Sequence, residues 1–407
     1  MDQKTVRRNM VLHIIDGVLF ITAMTFMDQF TIMVSFMKQV FDNSFVLSLV
    51  PASIVIGFNF PGLFTSWFAK RAAKRKIYIA IMGFLQRLMV FFLALTTYWI
   101  LPLPATSGAA MVLSFYFLFA FMGGITFPAW IDLFAKTVPP KRRGRVTALR
   151  LSLASVVGII VPLWMGPFLA ANDFPGNYRV VFFIAFALVA LSFVAFINIK
   201  EEGESPVSRQ SFGEYIRDLL GLLLKKRFRH FILARFFFSF TFIAISFYTA
   251  YALKLFPSID EREVAIFALL FNFSKAGFGY LLGYLGDRFN NLLVQKIGIL
   301  AAVVSLVLVL LFPVIPVFYL LFVLIGITFS ADSNALVVMI AEFGDEGSRI
   351  SYTAVSSGII GTSCGLIPVI MGMLISQGLV TYAGSFVIAL VGSLISLVLF
   401  FRFSHED

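Results

Sequence analysis

This sequence has little of the chemistry that enzymes and metal-binding proteins place at their sites. Of its 407 residues, 13% are charged, compared with about 25% in an average globular domain. It has a single cysteine and three histidines. One cysteine can form no intramolecular disulfide or cysteine cluster, and the histidines are too far apart in sequence to show ligand spacing. The phosphate-binding pattern Gly-x-x-x-x-Gly-Lys is also missing, which argues against ATP-driven pumping by this chain. We therefore expect no metal and no bound cofactor.

Apolar residues fill most of the chain instead. They make up 60% of it, with 50 phenylalanines and a mean hydropathy of +0.94. No soluble core could bury this much apolar surface, and stretches of roughly 20 apolar residues are long enough to cross a bilayer as helices. The sequence predicts an all-α membrane protein with twelve transmembrane helices. The predicted spans are residues 10–37, 45–69, 77–100, 109–136, 146–171, 179–199, 229–255, 263–285, 292–312, 316–342, 350–376 and 381–402.

The loops between these spans alternate in charge. Two of the basic loops contain Lys70, Arg71, Lys74, Arg75 and Lys76, and Lys141, Arg142, Arg143 and Arg145. Residues 101–108, in the loop between them, carry no Lys or Arg. Because basic loops stay on the cytoplasmic side, this pattern predicts a multi-pass protein of the inner (plasma) membrane with both termini in the cytoplasm. Basic loops orient the protein in the membrane and contact anionic lipid headgroups, which accounts for the formal charge of +11. We therefore expect no nucleic-acid partner.

The chain is expected to have two similar halves. A first six-helix bundle covers residues 1–199, a linker covers 200–228 and a second bundle covers 229–407. The linker has apolar residues at helical spacing after residue 211, which predicts an amphipathic helix on the cytoplasmic membrane surface. The motif Gly-Ile-Thr-Phe at 124–127 recurs at 326–329, and the segment 161–166 resembles 367–372. Equivalent motifs in corresponding spans indicate a parallel repeat.

With these features the chain resembles the major facilitator superfamily over essentially all twelve spans. That superfamily carries a Gly-x-x-x-Asp-Arg-x-Gly-Arg motif after span 2 and often again after span 8. Here the second copy has Gly283, Asp287 and Arg288 at its first positions. The first copy is degenerate, with Lys70 where aspartate is usual, followed by Arg71. The resemblance implies a gate at the cytoplasmic ends of these helices. The alternative is that the Asp-Arg pair only caps a helix and orients a loop.

Charged residues inside the predicted spans are the candidate site. A charge at a helix centre is costly in a bilayer, so such residues are functional candidates by default. The four deepest are Asp28, Arg87, Lys275 and Asp332. The resemblance places Asp28 and Asp332 on cavity helices of opposite halves. These residues are predicted to couple protons or bind substrate. The alternative is a set of structural ion pairs, for example Lys275 with Asp332. A second group lies nearer the cytoplasmic face and is a weaker set of substrate contacts: Asp16, Asp132, Lys136, Arg150 and Arg235.

The function expected from the sequence is secondary active transport of a small organic solute by alternating access. Proton coupling is favoured over sodium coupling or uniport because the deep acids are isolated on separate helices. The expected partners are a small-molecule substrate, protons and membrane lipids, and the expected state is a monomer. Two other classes remain open: an integral-membrane transferase, and a non-transporting sensor with a transporter fold. The chain shows no catalytic His/Asp or metal-ligand pattern, so we expect that it is not an enzyme. Substrate, coupling ion and direction of transport stay open.

Overall fold

The computed structural model describes residues 2–69, 71–72, 74–203, 210–343 and 349–403. Within them, twelve helical segments are long and apolar enough to cross a membrane, in agreement with the predicted count. The helices of the first half are α1 (Gln3–Phe26), α2 (Ile32–Val40), α3 (Ser44–Asn59), α4 (Gly62–Ala69), α5 (Arg75–Trp99), α6 (Ala105–Thr137), α7 (Pro140–Ala171) and α8 (Gly176–Ile197). Those that follow are α9 (Phe212–Leu222), α10 (Lys226–Phe238), α11 (Thr241–Leu255), α12 (Glu261–Arg288), α13 (Asn291–Leu311), α14 (Ile315–Ala341), α15 (Arg349–Ser356), α16 (Thr362–Ser376) and α17 (Tyr382–Arg402).

Several spans are interrupted along their length. The first span consists of α1 and α2, with residues 27–31 outside either helix. The seventh span, its counterpart in the second half, consists of α10 and α11 with a break at residues 239–240. The eleventh span contains a π-helical turn at Ser357–Gly361 between α15 and α16. Non-helical backbone at membrane depth is tolerated only where protein or water satisfies it, so such breaks commonly mark functional regions.

The repeated sequence motifs have the same structural role in both halves. A Cβ added at Gly124 would lie 2.6 Å from the carbonyl oxygens of Gly57 and Phe58, so α6 packs directly on the backbone of α3. Its counterpart Gly326 packs in the same way on α12, where a Cβ would lie 2.8 Å from the carbonyl oxygen of Phe271. Small residues allow helices to approach this closely in membranes. The parallel repeat is therefore visible in helix packing as well as in sequence.

The second repeated motif joins the two halves. A Cβ at Gly166 on α7 would lie 2.6 Å from the Cβ of Ala265 on α12. A Cβ at the equivalent Gly372 on α16 would lie 2.3 Å from the Oγ of Ser48 on α3. Helix pairs α7–α12 and α3–α16 thus form two matching seams between the halves.

The first and last parts of the described chain lie at one end of the molecule, which we call the basic end. The amide of Asn9 donates to the carbonyl of Lys200 at 2.9 Å, so the start of the chain meets the start of the linker. At the same end the ring of Phe403 packs against that of Phe231, with centroids 6.3 Å apart. We call the other end the opposite end. The charge pattern predicts that the basic end is cytoplasmic.

The linker contains helix α9, in the segment where the sequence predicts an amphipathic helix. Ser211 and Glu214 form a capping box at its start, and the backbone N–H of Ser211 holds the pKa of the Glu214 carboxyl below its usual range. Tyr215 and Leu219 on its apolar face are buried. The Tyr215 hydroxyl donates to the carbonyl of Leu63 at 2.9 Å, and these apolar residues join a core cluster composed mainly of second-half side chains. The linker helix therefore contacts both halves at the basic end.

Candidate functional site

Asp28 lies in the break of the first span. Its Oδ1 accepts hydrogen bonds from the backbone N–H of Phe30 at 3.0 Å and of Thr31 at 2.9 Å. The same oxygen accepts a third bond from the Thr31 hydroxyl at 2.7 Å. These donors lie in the break just before α2, so the carboxyl stabilises the non-helical turn between α1 and α2. Asp28 therefore binds backbone N–H groups in addition to its predicted site role. All three hydrogen bonds end on Oδ1.

The carbonyl groups freed by the break are satisfied from other helices. Tyr116 on α6 donates its hydroxyl to the carbonyl of Met27 at 2.7 Å, and Tyr116 is fully buried. Thr249 on α11 donates its hydroxyl to the carbonyl of Phe30 at 2.5 Å. The second bond crosses from one half to the other. Because unsatisfied carbonyls are costly in a bilayer, these two side chains stabilise the non-helical segment.

Lys275 on α12 faces the interface between the halves. Its Nζ lies 5.7 Å from the ring centroid of Phe271. That ring packs against Phe30 at 6.3 Å and Phe329 at 5.5 Å, which belong to the first and tenth spans. Lys275 is also near enough to Asp28 for the two charges to interact. The structure therefore brings together two of the four deep charges predicted from the sequence, one from each half.

The Asp28–Lys275 pair leaves polar capacity unused. Among the described residues, neither side chain has an ion-pair partner within 4.0 Å. In the same span, Thr22 Oγ1 and Gln29 Oε1 are buried without a hydrogen-bond partner in the described part of the chain. Buried polar groups are normally satisfied by protein or ordered water. This region therefore has polar groups available for water, a proton or a solute.

Asp332 lies elsewhere and has a partner. Arg235 on α10 forms a bidentate pair with it, in which Nη1 donates to Oδ1 and Nη2 donates to Oδ2 at 3.3 Å. The Arg235 side chain is 4% exposed and that of Asp332 is 20% exposed. The sequence suggested Lys275 as an example of a structural partner for Asp332. The carboxylate of Asp332 is instead bound on both oxygens by Arg235, and no ion pair between Lys275 and Asp332 within 4.0 Å is found among the described residues.

Arg87 is held inside the first half. It donates to Gln86 Oε1 at 2.7 Å and to the carbonyls of Gly83 and Val189, both at 3.3 Å. Its guanidinium also lies 5.4 Å from the rings of Phe20 and Phe193. Arg87 is therefore separate from the Asp28–Lys275 pair and is fixed by acceptors on its own and neighbouring helices.

The predicted gate residues lie at the basic end. Gly283 and Asp287 are in the last turns of α12, which ends at Arg288. Arg288 is exposed and donates to the Tyr284 hydroxyl at 3.3 Å. In the degenerate copy, Arg71 donates to the carbonyl of Gln210 at 3.1 Å in the linker. Lys70 and the side chain of Asp287 lie outside the described residues. The gate therefore stays a prediction.

At the opposite end, hydrogen bonds join the two halves directly. Glu261, at the start of α12, accepts from the Ser35 hydroxyl at 2.9 Å and from the Gln39 amide at 2.6 Å. The hydroxyls of Ser44 and Tyr382 lie 2.9 Å apart. The sequence analysis missed these residues, because glutamate and serine are common near the ends of membrane spans and carry no functional signal there. Together with the Thr249–Phe30 bond, they close the interface on the opposite side of Asp28 and Lys275.

Comparison with known proteins agrees with this architecture. The family model of the Major Facilitator Superfamily matches residues 17–257 and 249–407. Structurally, the chain is similar to a D-xylose-proton symporter, with 14% identity, 98% of each chain covered and a TM-score of 0.73. It is also similar to a mutant of the nucleoside transporter NupG, with 15% identity, 98% of each chain covered and a TM-score of 0.71.

A third similar structure is a POT family transporter in complex with a thioalcohol-conjugated peptide. It is 14% identical, with 97% of this chain and 95% of that chain covered and a TM-score of 0.71. No curated protein matches the chain by sequence. Identities this low establish the shared fold only, so they say nothing of which solute this chain binds.

Proposed function

Because this chain belongs to the Major Facilitator Superfamily and is a transporter rather than an enzyme, we propose that it is a proton-coupled secondary active transporter of a small organic solute. It works by alternating access, with the two six-helix halves rocking about a site near the middle of the membrane. The observation that carries the proposal is the Asp28–Lys275 pair, which lies between the halves at the break in the first span. One similar structure, named as a D-xylose-proton symporter, is a precedent for proton symport in this fold.

Asp28 is the proposed proton carrier. A carrier must gain and lose its proton during each cycle, so its carboxyl cannot be neutralised permanently by a tight ion pair. Asp28 meets this condition, because Lys275 is near it without forming a close pair. Asp332 does not, since Arg235 binds both of its oxygens. The proposal therefore assigns the proton to Asp28 and not to Asp332, which the sequence left as alternatives.

Lys275 is the proposed counter-charge. A cation close to a carboxylate favours the ionised form, so it helps the acid to release its proton. Because Lys275 is on α12 and Asp28 is on the first span, rocking of the halves changes their separation. Proton affinity at Asp28 thereby depends on the conformation of the transporter. This dependence is what links proton movement to solute movement.

The contacts at the opposite end define the state described here. Glu261 and Tyr382 in the second half bond to Ser35, Gln39 and Ser44 in the first. We take this end to be closed and, from the positive-inside pattern, to face the outside of the cell. The alternative conformation would require these bonds to break.

The test begins with purified protein and a library of small organic solutes. A solute that binds the folded protein raises its melting temperature by linkage, and screening at two pH values identifies the candidates. The best solute is then used with the protein in liposomes. The parent should accumulate it when a pH gradient is imposed, and should also exchange it across the membrane without a gradient.

The variant Asp28→Asn should lose accumulation driven by the pH gradient but keep exchange, because exchange needs no net proton release. The matched control is Asp42→Asn, which removes an acid paired with Lys38 at the opposite end. Lys275→Ala should shift the pH dependence of uptake. Normal accumulation by Asp28→Asn would refute the proposed proton carrier. Solute binding without transport by the parent would favour the alternative of a membrane sensor with a transporter fold.

A further inference from the structure

Lys275 lies at the level where the seam between α7 and α12 opens. On the side of the opposite end, a Cβ added at Gly158 would lie 3.5 Å from Thr25 Oγ1 and 4.0 Å from the Oδ1 of Asn272 on α12. On the other side, a Cβ at Gly277 would meet no atom of the described chain within 4 Å. Lys275 lies between these two levels and is exposed, although it is in the middle of a membrane span. Since the opposite end is closed, the ammonium group is reached from the basic end.

The Asp28–Lys275 pair has both a donor and an acceptor to spare. An ammonium group carries three N–H donors, yet the Lys275 Nζ has no hydrogen-bond acceptor in the described part of the chain and contacts the ring of Phe271. The three hydrogen bonds of Asp28 all end on Oδ1, and Oδ2 accepts none from the described residues. Oδ2 can therefore take up a proton without breaking the bonds that stabilise the turn.

These two residues set the charge of the site. Asp28 is the acid that interacts with Lys275, and Lys275 is the cation that interacts with Asp28. The other charges of α12 lie at its two ends. Other charged or titratable side chains on the surrounding helices have contacts elsewhere in the protein: Asp332 with Arg235, Arg150 with the ring of Trp130, Arg87 with Gln86, Lys296 with the ring of Phe401, Lys38 with Asp42, Glu261 with Ser35 and Gln39, Asp16 with Ser192, and Tyr116 with the carbonyl of Met27.

Protonation of Asp28 unbalances this site. When both groups are ionised the pair is neutral, and when Asp28 takes up a proton Lys275 loses its counter-charge. A charge without a partner is costly away from bulk water, so the protonated site favours an anion beside Lys275. A monoanion restores neutrality, whereas a neutral solute leaves one positive charge and a dianion leaves one negative charge. Because such coupling is reciprocal, the proton and the monoanion each strengthen binding of the other.

An apolar surface lies beside Lys275. The ring of Phe271, which contacts the ammonium, packs on Phe329 at 5.5 Å, and Phe329 packs on Phe242 at 5.6 Å. Phe30 of the first span also packs on Phe329 at 5.5 Å. Phe30 and Phe271 are buried, while Phe242 and Phe329 are each partly exposed. A carboxylate next to the ammonium would thus have its apolar body against aromatic rings.

We propose that the transported solute is a small monocarboxylate with an apolar body, and that its carboxylate binds Lys275 in place of the ionised Asp28. The proton on Asp28 Oδ2 then moves with the carboxylate, one for one, and leaves when the carboxylate leaves and Lys275 is again free to interact with Asp28. The inference rests on the proposed function, since it names the substrate class and the proton stoichiometry of that same site. A phosphate monoester, with nearly two negative charges at neutral pH, would leave the site negative.

The test measures binding to the purified full-length protein in nonionic detergent, without a membrane gradient. The probes are hexanoate and benzoate, each compared with its uncharged amide. Isothermal titration calorimetry gives the affinity, and titrations in buffers of different ionisation enthalpy count the protons taken up. At least one acid should bind saturably at about pH 6, and its amide should bind about tenfold more weakly or worse, because it lacks the charge that Lys275 binds.

The pH dependence tests the competition between Asp28 and the solute. Both probes stay ionised from about pH 6 to about pH 9, so a change in affinity over this range comes from the protein. Affinity should fall as the pH rises, approaching about tenfold per pH unit once Asp28 is ionised, and proton uptake should approach one per carboxylate. Absence of binding by both acids, equal binding of acids and amides, or an affinity independent of pH would overturn the proposal.

Variants then assign the two groups. Asp28→Asn mimics the protonated acid, so it should keep tight binding at the higher pH and take up no proton, a result that a misfolded protein could not give. Lys275→Gln should weaken binding of the acid about tenfold or more without changing that of the amide, and Lys275→Arg should restore part of it. The control Lys254→Gln removes another lysine beside an aromatic ring, 5.3 Å from the centroid of Tyr382, and should leave binding unchanged. Unchanged acid binding by Lys275→Gln, or a steep pH dependence in Asp28→Asn, would refute the site.

Failure of this inference is distinguishable from failure of the proposed function. Accumulation of a neutral solute that is driven by a pH gradient and requires Asp28 would keep the proton carrier and overturn the substrate class. Paired binding of one proton and one carboxylate, without transport in liposomes, would contradict the proposed function while supporting the site.

Discussion

The ion pair between Arg235 and Asp332 gives the sharpest quantitative prediction. Both side chains are inside a membrane span and joined by two hydrogen bonds, so solvent screens them little. Replacing Arg235 by Met leaves the Asp332 carboxylate without a counter-charge. Breaking one side of a buried pair costs roughly 3–5 kcal/mol. We expect Arg235→Met and Asp332→Leu each to lower the free energy of unfolding by about 3 kcal/mol, which is about a 150-fold change in the unfolding equilibrium constant.

The double variant should behave differently. Replacing both partners by apolar residues of similar size removes the desolvation cost together with the attraction, so stability should return to within about 1 kcal/mol of the parent. The two single variants and the double variant complete a double-mutant cycle, which isolates the coupling between the two residues. The assay is equilibrium unfolding in mixed detergent micelles, followed by tryptophan fluorescence.

This experiment also tests the assignment of the proton carrier. Single variants that each cost less than about 1 kcal/mol would mean that the Asp332 carboxylate is not held by Arg235. Asp332 would then be free to titrate during transport, and the argument that assigns the proton to Asp28 alone would fail.

Three other predictions follow from single features. Topology: in a Cys364→Ser background, a cysteine introduced in place of Ser107 at the exposed start of α6 should react with an impermeant reagent added outside intact cells, and labelling only after membrane opening would reverse the orientation. Packing: Gly124→Ala should destabilise the protein by about 1–3 kcal/mol in thermal unfolding because it overpacks α6 on α3, whereas Gly277→Ala, with nothing within 4 Å, should be nearly neutral. Gate: Asp287→Asn should lower the cross-linking yield between helix ends at the basic end, and unchanged yield with unchanged transport would reduce the motif to a helix cap.

The spans could be predicted from sequence because each depends on a local property. A run of apolar residues must form a helix in lipid whatever surrounds it, since only a helix satisfies its own backbone. The predicted span 77–100 is α5 (Arg75–Trp99), and 263–285 lies within α12 (Glu261–Arg288). The linker helix could also be predicted from sequence, because the spacing of its apolar residues and its capping box are both local signals.

The break in the first span could not be predicted in this way. Residues 27–31 contain neither proline nor glycine, so no helix-breaking residue marks the break in the sequence. The break is stabilised by Tyr116 and Thr249, which are 89 and 219 residues away from the carbonyls they bind. The pairing of Arg235 with Asp332 also depends on tertiary structure, since the two are 97 residues apart. For the same reason, the candidate charges could be named from the sequence, but which of them lie close together could not be predicted.

The position of α2 has a mechanical consequence. It belongs to the first half by sequence, yet Ser35 and Gln39 on it are bonded to Glu261 of the second half. The non-helical residues 27–31 act as a joint between α1 and this short segment. When the halves begin to rock, this joint lets α2 tilt relative to α1 before its bonds to Glu261 break. Stiffening this joint at positions other than Asp28 would therefore slow the conformational cycle while leaving the proposed proton carrier in place.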